Sequence, residues 1–181
     1  MKTYNIYDRP SNENSRFILG IEGDNSLFVL GLNPSTANRD KSDLTMTKIE
    51  KFAEQNGFDG FIMFNLYAQK STSPKNVHEE IDAELHKKNI EKIVLTLSKK
   101  KNDIYILACW GESMRIRSYF LSALKDIFDS TKHLNIKWLK IGKNLTKSGH
   151  PRHPSRAAYD LRLKEFEIDK YLKSLTLPRD K

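Results

Sequence analysis

With 181 residues, 38% of them hydrophobic and 30% charged, the chain has the size and composition of one soluble globular domain with a sizeable core. No apolar run approaches the ~20 residues of a membrane-spanning helix. The lone cysteine, Cys109, excludes an internal disulfide. Together with an amino-terminal stretch, Met1 to Asn5, that lacks the apolar centre of a secretory signal, this places the protein in a reducing cytoplasm as an expectation.

The predicted elements run as follows. Arg16–Ile21 and Leu27–Leu32 are short apolar runs around Glu22-Gly23-Asp24-Asn25-Ser26, the signature of a hairpin. A polar loop over 33–42 leads to a helix at about 43–56, with Ile49, Phe52 and Ala53 on its core face and Gly57 as its stop. Phe61–Phe64 reads as a buried strand ending at Asn65. A polar loop to Pro74 precedes helix over much of 77–100, marked by Ile90, Ile93, Val94 and Leu97. Ile104–Cys109 is the next strand and runs into Trp110-Gly111-Glu112. A helix over roughly 112–128 carries Phe120, Leu121, Leu124 and Phe128 on one face. Ile136–Ile141 is the last strand, and a closing helix is predicted over 156–172.

No repeat or low-complexity linker divides the chain, so residues 1–181 read as one α/β domain. Alternating helices and strands imply right-handed crossovers. The expected architecture is a three-layer sandwich: a mostly parallel sheet of about four strands with an N-terminal antiparallel hairpin strand, helices on both faces. The segments at Asn33, Asn65, Trp110 and His150 each follow a strand and would gather at the carboxyl edge of the sheet, where such folds build sites.

Charge is uneven. Residues 1–90 hold 11 Lys/Arg against 13 Asp/Glu, whereas residues 91–181 hold 20 against 10. Between Asp129 and Asp160 there is no acidic residue, but there are Lys132, Lys137, Lys140, Lys143, Lys147, Arg152, Arg156 and three histidines, His133, His150 and His153. This pattern points to an anionic partner, with nucleic acid or a nucleotide first, or to a solvated lysine-rich surface. An acidic protein partner is a third possibility. The His-x-x-His spacing of His150 and His153 raises zinc, but no second ligand cluster accompanies it, so no metal or cofactor is expected.

Gly31-Leu32-Asn33-Pro34 resembles the first motif of the uracil-DNA glycosylase superfamily, and His153-Pro154-Ser155 resembles its second. Phe64-Asn65-Leu66 is similar to the intervening strand-end asparagine, and Leu107–Gly111 to the strand ending in Trp-Gly. The whole series, GLNPSTA, Asp43 and Thr45, FNLYA, WG and GHPRHP, resembles more closely the domain-of-unknown-function 1643 family of bacteria and phages, over about residues 16–160. By the resemblance, Asn33 positions a hydrolytic water and His153 donates a hydrogen bond to a departing base. Asn65 reads a pyrimidine edge, its amide offering both a donor and an acceptor.

Gly31, Pro34, Ser35, Thr36, Trp110, His150, Arg152 and Ser155 complete the expected substrate contacts. Lys140, Lys143, Lys147 and Arg156 are the expected contacts to a nucleic-acid backbone. Each reading has a plain counterpart: Asn33 capping a turn, Asn65 satisfying loop backbone, Trp110 filling the core, and Asp43 and Thr45 capping a helix rather than meeting substrate. Ser35 takes the place of a tyrosine found in one branch of the superfamily. Arg156-Ala157 stand where duplex-acting members carry a wedging leucine. The implied substrate is single-stranded or modified DNA, or a free nucleotide.

Overall fold

The computed structural model describes residues 4–10, 14–101 and 103–176. Among the described residues there are seven strands: β1 (Ile6–Asp8), β2 (Ile18–Ile21), β3 (Ser26–Gly31), β4 (Gly60–Asn65), β5 (Ile104–Ala108), β6 (Ile136–Ile141) and β7 (Leu163–Glu165). Four helices accompany them: α1 (Leu44–Gln55), α2 (Ala83–Leu97), α3 (Tyr119–Thr131) and α4 (Ile168–Thr176). The strands form one mixed sheet in the order β1-β2-β4-β3-β5-β6-β7. Its four central strands are parallel, while at the two margins the pairings β1–β2, β2–β4 and β6–β7 are antiparallel.

The period of two along each strand sorts side chains into two apolar clusters. Leu27 and Val29 of β3 join Phe61 and Met63 of β4 and Met46, Ile49, Phe52 and Ala53 of α1. Phe28 and Leu30 join Ile62 and Phe64, together with Ile93 and Leu97 of α2, Phe120 and Leu124 of α3, and Ile168 and Tyr171 of α4. Both central strands β3 and β4 are buried throughout, which is why they read as unbroken apolar runs. Helix α1 begins where expected because Asp43 caps it, its carboxylate accepting from the Met46 amide at 2.9 Å.

Three expectations are corrected. Strands β2 and β3 do not form a hairpin: β4 lies between them, antiparallel to β2 and parallel to β3. The 22–25 turn wraps the start of β4, where the Asp59 carboxylate accepts from the Asp24 and Asn25 amides at 3.1 and 2.9 Å. The closing helix at 156–172 is replaced by a 3-10 turn (Pro154–Arg156), strand β7 and α4. Leu161-Arg162-Leu163-Lys164 alternates with the period of a strand, and β7 covers the edge that β6 would leave open. Helix α2 starts at Ala83, capped by Asp82, and α3 starts at Tyr119 after a 3-10 turn at Gly111–Arg115. The sheet accordingly has seven strands rather than about four and a hairpin. Among the described residues no helix is long and apolar enough to cross a membrane.

Candidate functional site

Loops beyond the carboxyl ends of β3, β5 and β6, the 71–74 loop and the first turn of α1 enclose a cleft of about 580 Å³. That volume falls within the usual range for ligand sites, roughly 300–1,000 Å³. Asn33 and His153 both line it, as do Ser35, Trp110, Arg152, Ser155 and Arg156. Two segments far apart in the chain therefore meet at one edge of the sheet.

Asn33 is held in one orientation. The loop after β3 is laced to the loop after β4 by backbone bonds from Leu66 to Gly31, from Tyr67 to Leu32 and from Ser71 to Pro34. Across this seam the Asn33 amide nitrogen donates to the carbonyls of Pro34 at 3.1 Å and Ser71 at 2.9 Å. Two carbonyl acceptors fix which end of the amide is nitrogen, and Oδ1 is left as an acceptor for whatever enters the cleft.

His153 is equally polarised. The backbone amide of Ser155 donates to its Nδ1 at 3.3 Å, and Ser155 Oγ lies 2.7 Å from the same nitrogen. An amide N–H can only donate, so Nδ1 is the acceptor and the neutral ring carries its proton on Nε2. Burial holds the His153 pKa below the ordinary histidine value. The Arg156 charge lowers it further, and Asp43 partly offsets the two.

Two contacts seat this loop. Lys48 of α1 donates to the Ala157 and Ser155 carbonyls at 2.5 and 3.4 Å. Gly111, at a φ of +67°, lies so near that an added Cβ would sit 2.9 Å from the Cβ of His153. The Trp-Gly pair thus needs its glycine both for the left-handed backbone and for the close approach of the histidine.

Asn65 stands at the end of β4, in register with Gly31, and is 1% exposed. Neither Nδ2 nor Oδ1 has a hydrogen-bond partner among the described residues. Its backbone carbonyl accepts from the buried Asn89 amide at 2.8 Å. An added Cβ at Gly31 would lie 2.9 Å from Asn65 Oδ1 and 2.4 Å from the Met63 methyl, and Met63 lines the cleft. Gly31 thus makes room for the amide beneath the cleft floor, and neither Gly31 nor Asn65, both expected as substrate contacts, lines the cleft.

Several expected contacts lie elsewhere. Pro34 is buried and Thr36 exposed, both outside the cleft lining. His150 is 1% exposed, its Nδ1 2.7 Å from the Tyr171 hydroxyl, which also accepts from Trp110 Nε1 at 2.9 Å. Burial raises the Tyr171 pKa to about 12, so the hydroxyl stays protonated. His150 belongs to a buried support for the Trp110 indole rather than to the substrate surface. Trp110 is both core and lining, with 1% exposure at the cleft wall.

The lysines also lie outside. Lys140 donates to the Glu165 carbonyl at 3.1 Å, and Lys143 and Lys147 are exposed away from the cleft lining.

Other residues enter the cleft without having been expected there. Asp43 and Thr45 line it while belonging to the start of α1, so the cap also faces the cleft. Ser71, Thr72, Ser113 and Thr146 add hydroxyls, and Glu112 an exposed carboxylate. Arg16 lines the cleft although it is only 3% exposed. The one signal for it was a charged residue at the head of the apolar run Arg16–Ile21. Cys109 is fully buried and burial pushes its thiol pKa up, which keeps it out of the chemistry. Among the described residues no three His, Cys, Asp or Glu side chains gather to hold a metal ion.

A family model described as "Protein of unknown function (DUF1643)" matches residues 16–155. No curated protein and no solved structure matches the chain.

Proposed function

We propose, from the premise that the chain belongs to the DUF1643 family, that it recognises a nucleobase and hydrolyses the N-glycosidic bond of a pyrimidine or modified nucleotide in the cytoplasm. The fold reading that accompanies this is a three-layer sandwich of the uracil-DNA glycosylase type. It is supported by the two apolar clusters that α1 on one side, and α2, α3 and α4 on the other, share with the central strands.

The observation that carries the reading is that Asn33 and His153 line one cleft with fixed and opposite polarity, an acceptor at Oδ1 and a donor at Nε2. Breaking the bond between C1′ and the base nitrogen leaves the electron pair on the base and a cationic sugar. Asn33 Oδ1 would accept a hydrogen bond from the water whose oxygen joins C1′, and the water's second proton leaves with solvent or the base. Asparagine is no general base, but a cationic sugar is reactive enough that orientation of water suffices. His153 Nε2–H would donate to the oxygen of the departing base anion, an interaction that strengthens as charge develops. A neutral donor suits this better than an imidazolium, which would lose the Ser155 amide bond.

Asn65 would read the base, but at 1% exposure and outside the cleft lining its amide meets a ligand only when the floor at Met63 is displaced. An amide buried with neither atom paired is costly, and a pyrimidine edge with one donor and one acceptor supplies both partners. Ala157, 2% exposed, follows the histidine loop where a wedge into stacked bases would be needed, so an unpaired or free nucleotide is favoured over a duplex.

The test is release of free base from nucleotides and oligonucleotides bearing uracil, thymine and modified pyrimidines. Asn33→Ala and His153→Ala are each expected to slow release by on the order of a hundredfold, with little change in the affinity of the substrate. Tight binding of a pyrimidine nucleotide with no base released would replace the hydrolase by a binding protein.

A further inference from the structure

The geometry points to Arg16 as a phosphate-binding residue and to a free nucleoside 5′-monophosphate, rather than a polynucleotide, as the ligand of the cleft. This rests on the reading of the cleft as a nucleotide site and names the substrate class.

Arg16 is an uncommon residue in the wall of a cleft. It is 3% exposed, and of its five N–H groups Nη1 donates to the Ala37 carbonyl. Its Nε is buried with no hydrogen-bond partner among the described residues. A guanidinium in such a place remains charged at neutral pH; burial lowers its pKa only to about 10, with Asp43 the largest countercharge acting on it. A buried cation with an unused donor is stabilised by an anion that accepts from it. The fork formed by Nε and a terminal nitrogen matches two oxygens of one phosphate.

The rest of the lining favours the same group. Arg152 and Arg156 bring two more guanidiniums from the opposite end of the chain, and Ser71 and Thr72 offer hydroxyls. Against these three arginines stand Asp43 and Glu112, which leaves the cleft with a small positive surplus. A single phosphate group, rather than a run of them, suits so small a surplus.

A polynucleotide fits it less well. The lysines that would follow a long backbone, Lys140, Lys143 and Lys147, do not line the cleft, and an almost fully buried arginine is better placed for a terminal phosphate that enters with its nucleoside. The volume of about 580 Å³ accommodates one nucleotide.

Titration calorimetry on the full chain would compare each common deoxynucleoside with its 5′-monophosphate. Inorganic phosphate serves as competitor and an unphosphorylated twelve-nucleotide oligothymidylate as the polymer. At least one monophosphate is expected to bind ~10- to 100-fold more tightly than its nucleoside, the range for charge-assisted hydrogen bonds. Arg16→Lys should shrink that ratio by about tenfold, because a point charge replaces the fork, with nucleoside affinity retained. Arg152→Gln should shrink it less.

Equal binding of nucleosides and monophosphates by the unaltered protein overturns the proposal, whatever the folding of the variants. So does a ratio untouched by Arg16→Lys, binding of the oligonucleotide where no monophosphate binds, or no binding of any monophosphate at millimolar concentration. Base release from oligonucleotides with no monophosphate preference would sink the phosphate site and leave the hydrolase standing. An Arg16-dependent monophosphate preference without base release would do the reverse.

Discussion

The cleft and the surface around β6 both carry positive charge, but in different physical states. On the β6 side, Lys137 pairs with Asp103 at 2.5 Å, Lys132 pairs with Asp129 at 3.2 Å, and Lys140 reaches the Glu165 carbonyl. The first two are exposed ammonium groups with exposed partners, and water and salt screen them. In the cleft, Arg16 is almost fully buried and Arg152 partly so, beside hydroxyls and a polarised histidine. A count of charge along the chain finds the first region and passes over Arg16, whose half of the sequence is the slightly acidic one. Burial, not local charge density, distinguishes a group poised for a ligand from a solvated surface.

This contrast implies that substitutions around the cleft are costly and those on the β6 side are not. The largest effect is expected at Tyr171. Tyr171→Phe keeps the ring but removes the hydroxyl that Trp110 Nε1 and His150 Nδ1 share, leaving two buried polar groups short of a partner. A loss of about 2–5 kcal/mol in denaturant unfolding is expected. A change below ~0.5 kcal/mol would show that the network beneath the indole is not a support.

A smaller effect is expected from acid. His153 is depressed below the ordinary histidine value of 6.5 in the fold, so below that pH the unfolded chain takes up the proton first. The stability that rests on neutral His153 is fully present above pH 6.5 and is lost as the pH falls towards the folded value. Melting temperatures measured from pH 7.5 to 5 should decline in the unaltered protein and decline less in His153→Gln. Identical pH profiles would remove the Ser155–His153 bond from the argument.

The smallest effect is expected on the β6 side. Replacing Lys140, Lys143 and Lys147 together by Gln should change mononucleotide affinity by less than about twofold, since screened surface charges contribute little. A loss as large as that of Arg16→Lys would merge the two regions into one anion site and end the comparison. If a polynucleotide does bind, the same variant should flatten the fall of affinity with salt.

Much of the fold was legible because strands β3 and β4, and β5 nearly so, are buried on both faces and therefore appear as apolar runs, while β6 keeps Ile136, Trp138, Leu139 and Ile141 around two lysines; β3 to β6 lie within a residue or two of expectation. Helix α1 was legible from its cap at Asp43 and the spacing of Ile49, Phe52 and Ala53. The order of strands was not. A short turn between two apolar runs has the same composition whether the runs pair with each other or admit a third strand; here β4 pairs with both, and Asp59 ties the 22–25 turn to its head. Strand β7 is three residues long, too short for its alternation to stand out within the 156–172 stretch that reads as a closing helix.

The sequence by itself determined which residues are chemically able to serve a site, and it placed Asn33 and His153 after strands, from where parallel connections carry both to one edge. It could not separate His150 from His153. Three residues apart in the same Pro-bracketed loop, one faces Tyr171 in the interior and the other lines the cleft. That division goes with contacts from residues distant in the chain: Gly111 close against His153, Lys48 bonded to the Ala157 carbonyl and Tyr171 beside His150. Arg16 and Asn65 make the same point. Their types were visible from the start, but a buried charge with an unused donor and an amide with neither atom paired are properties of what surrounds a side chain, and only packing in three dimensions creates them.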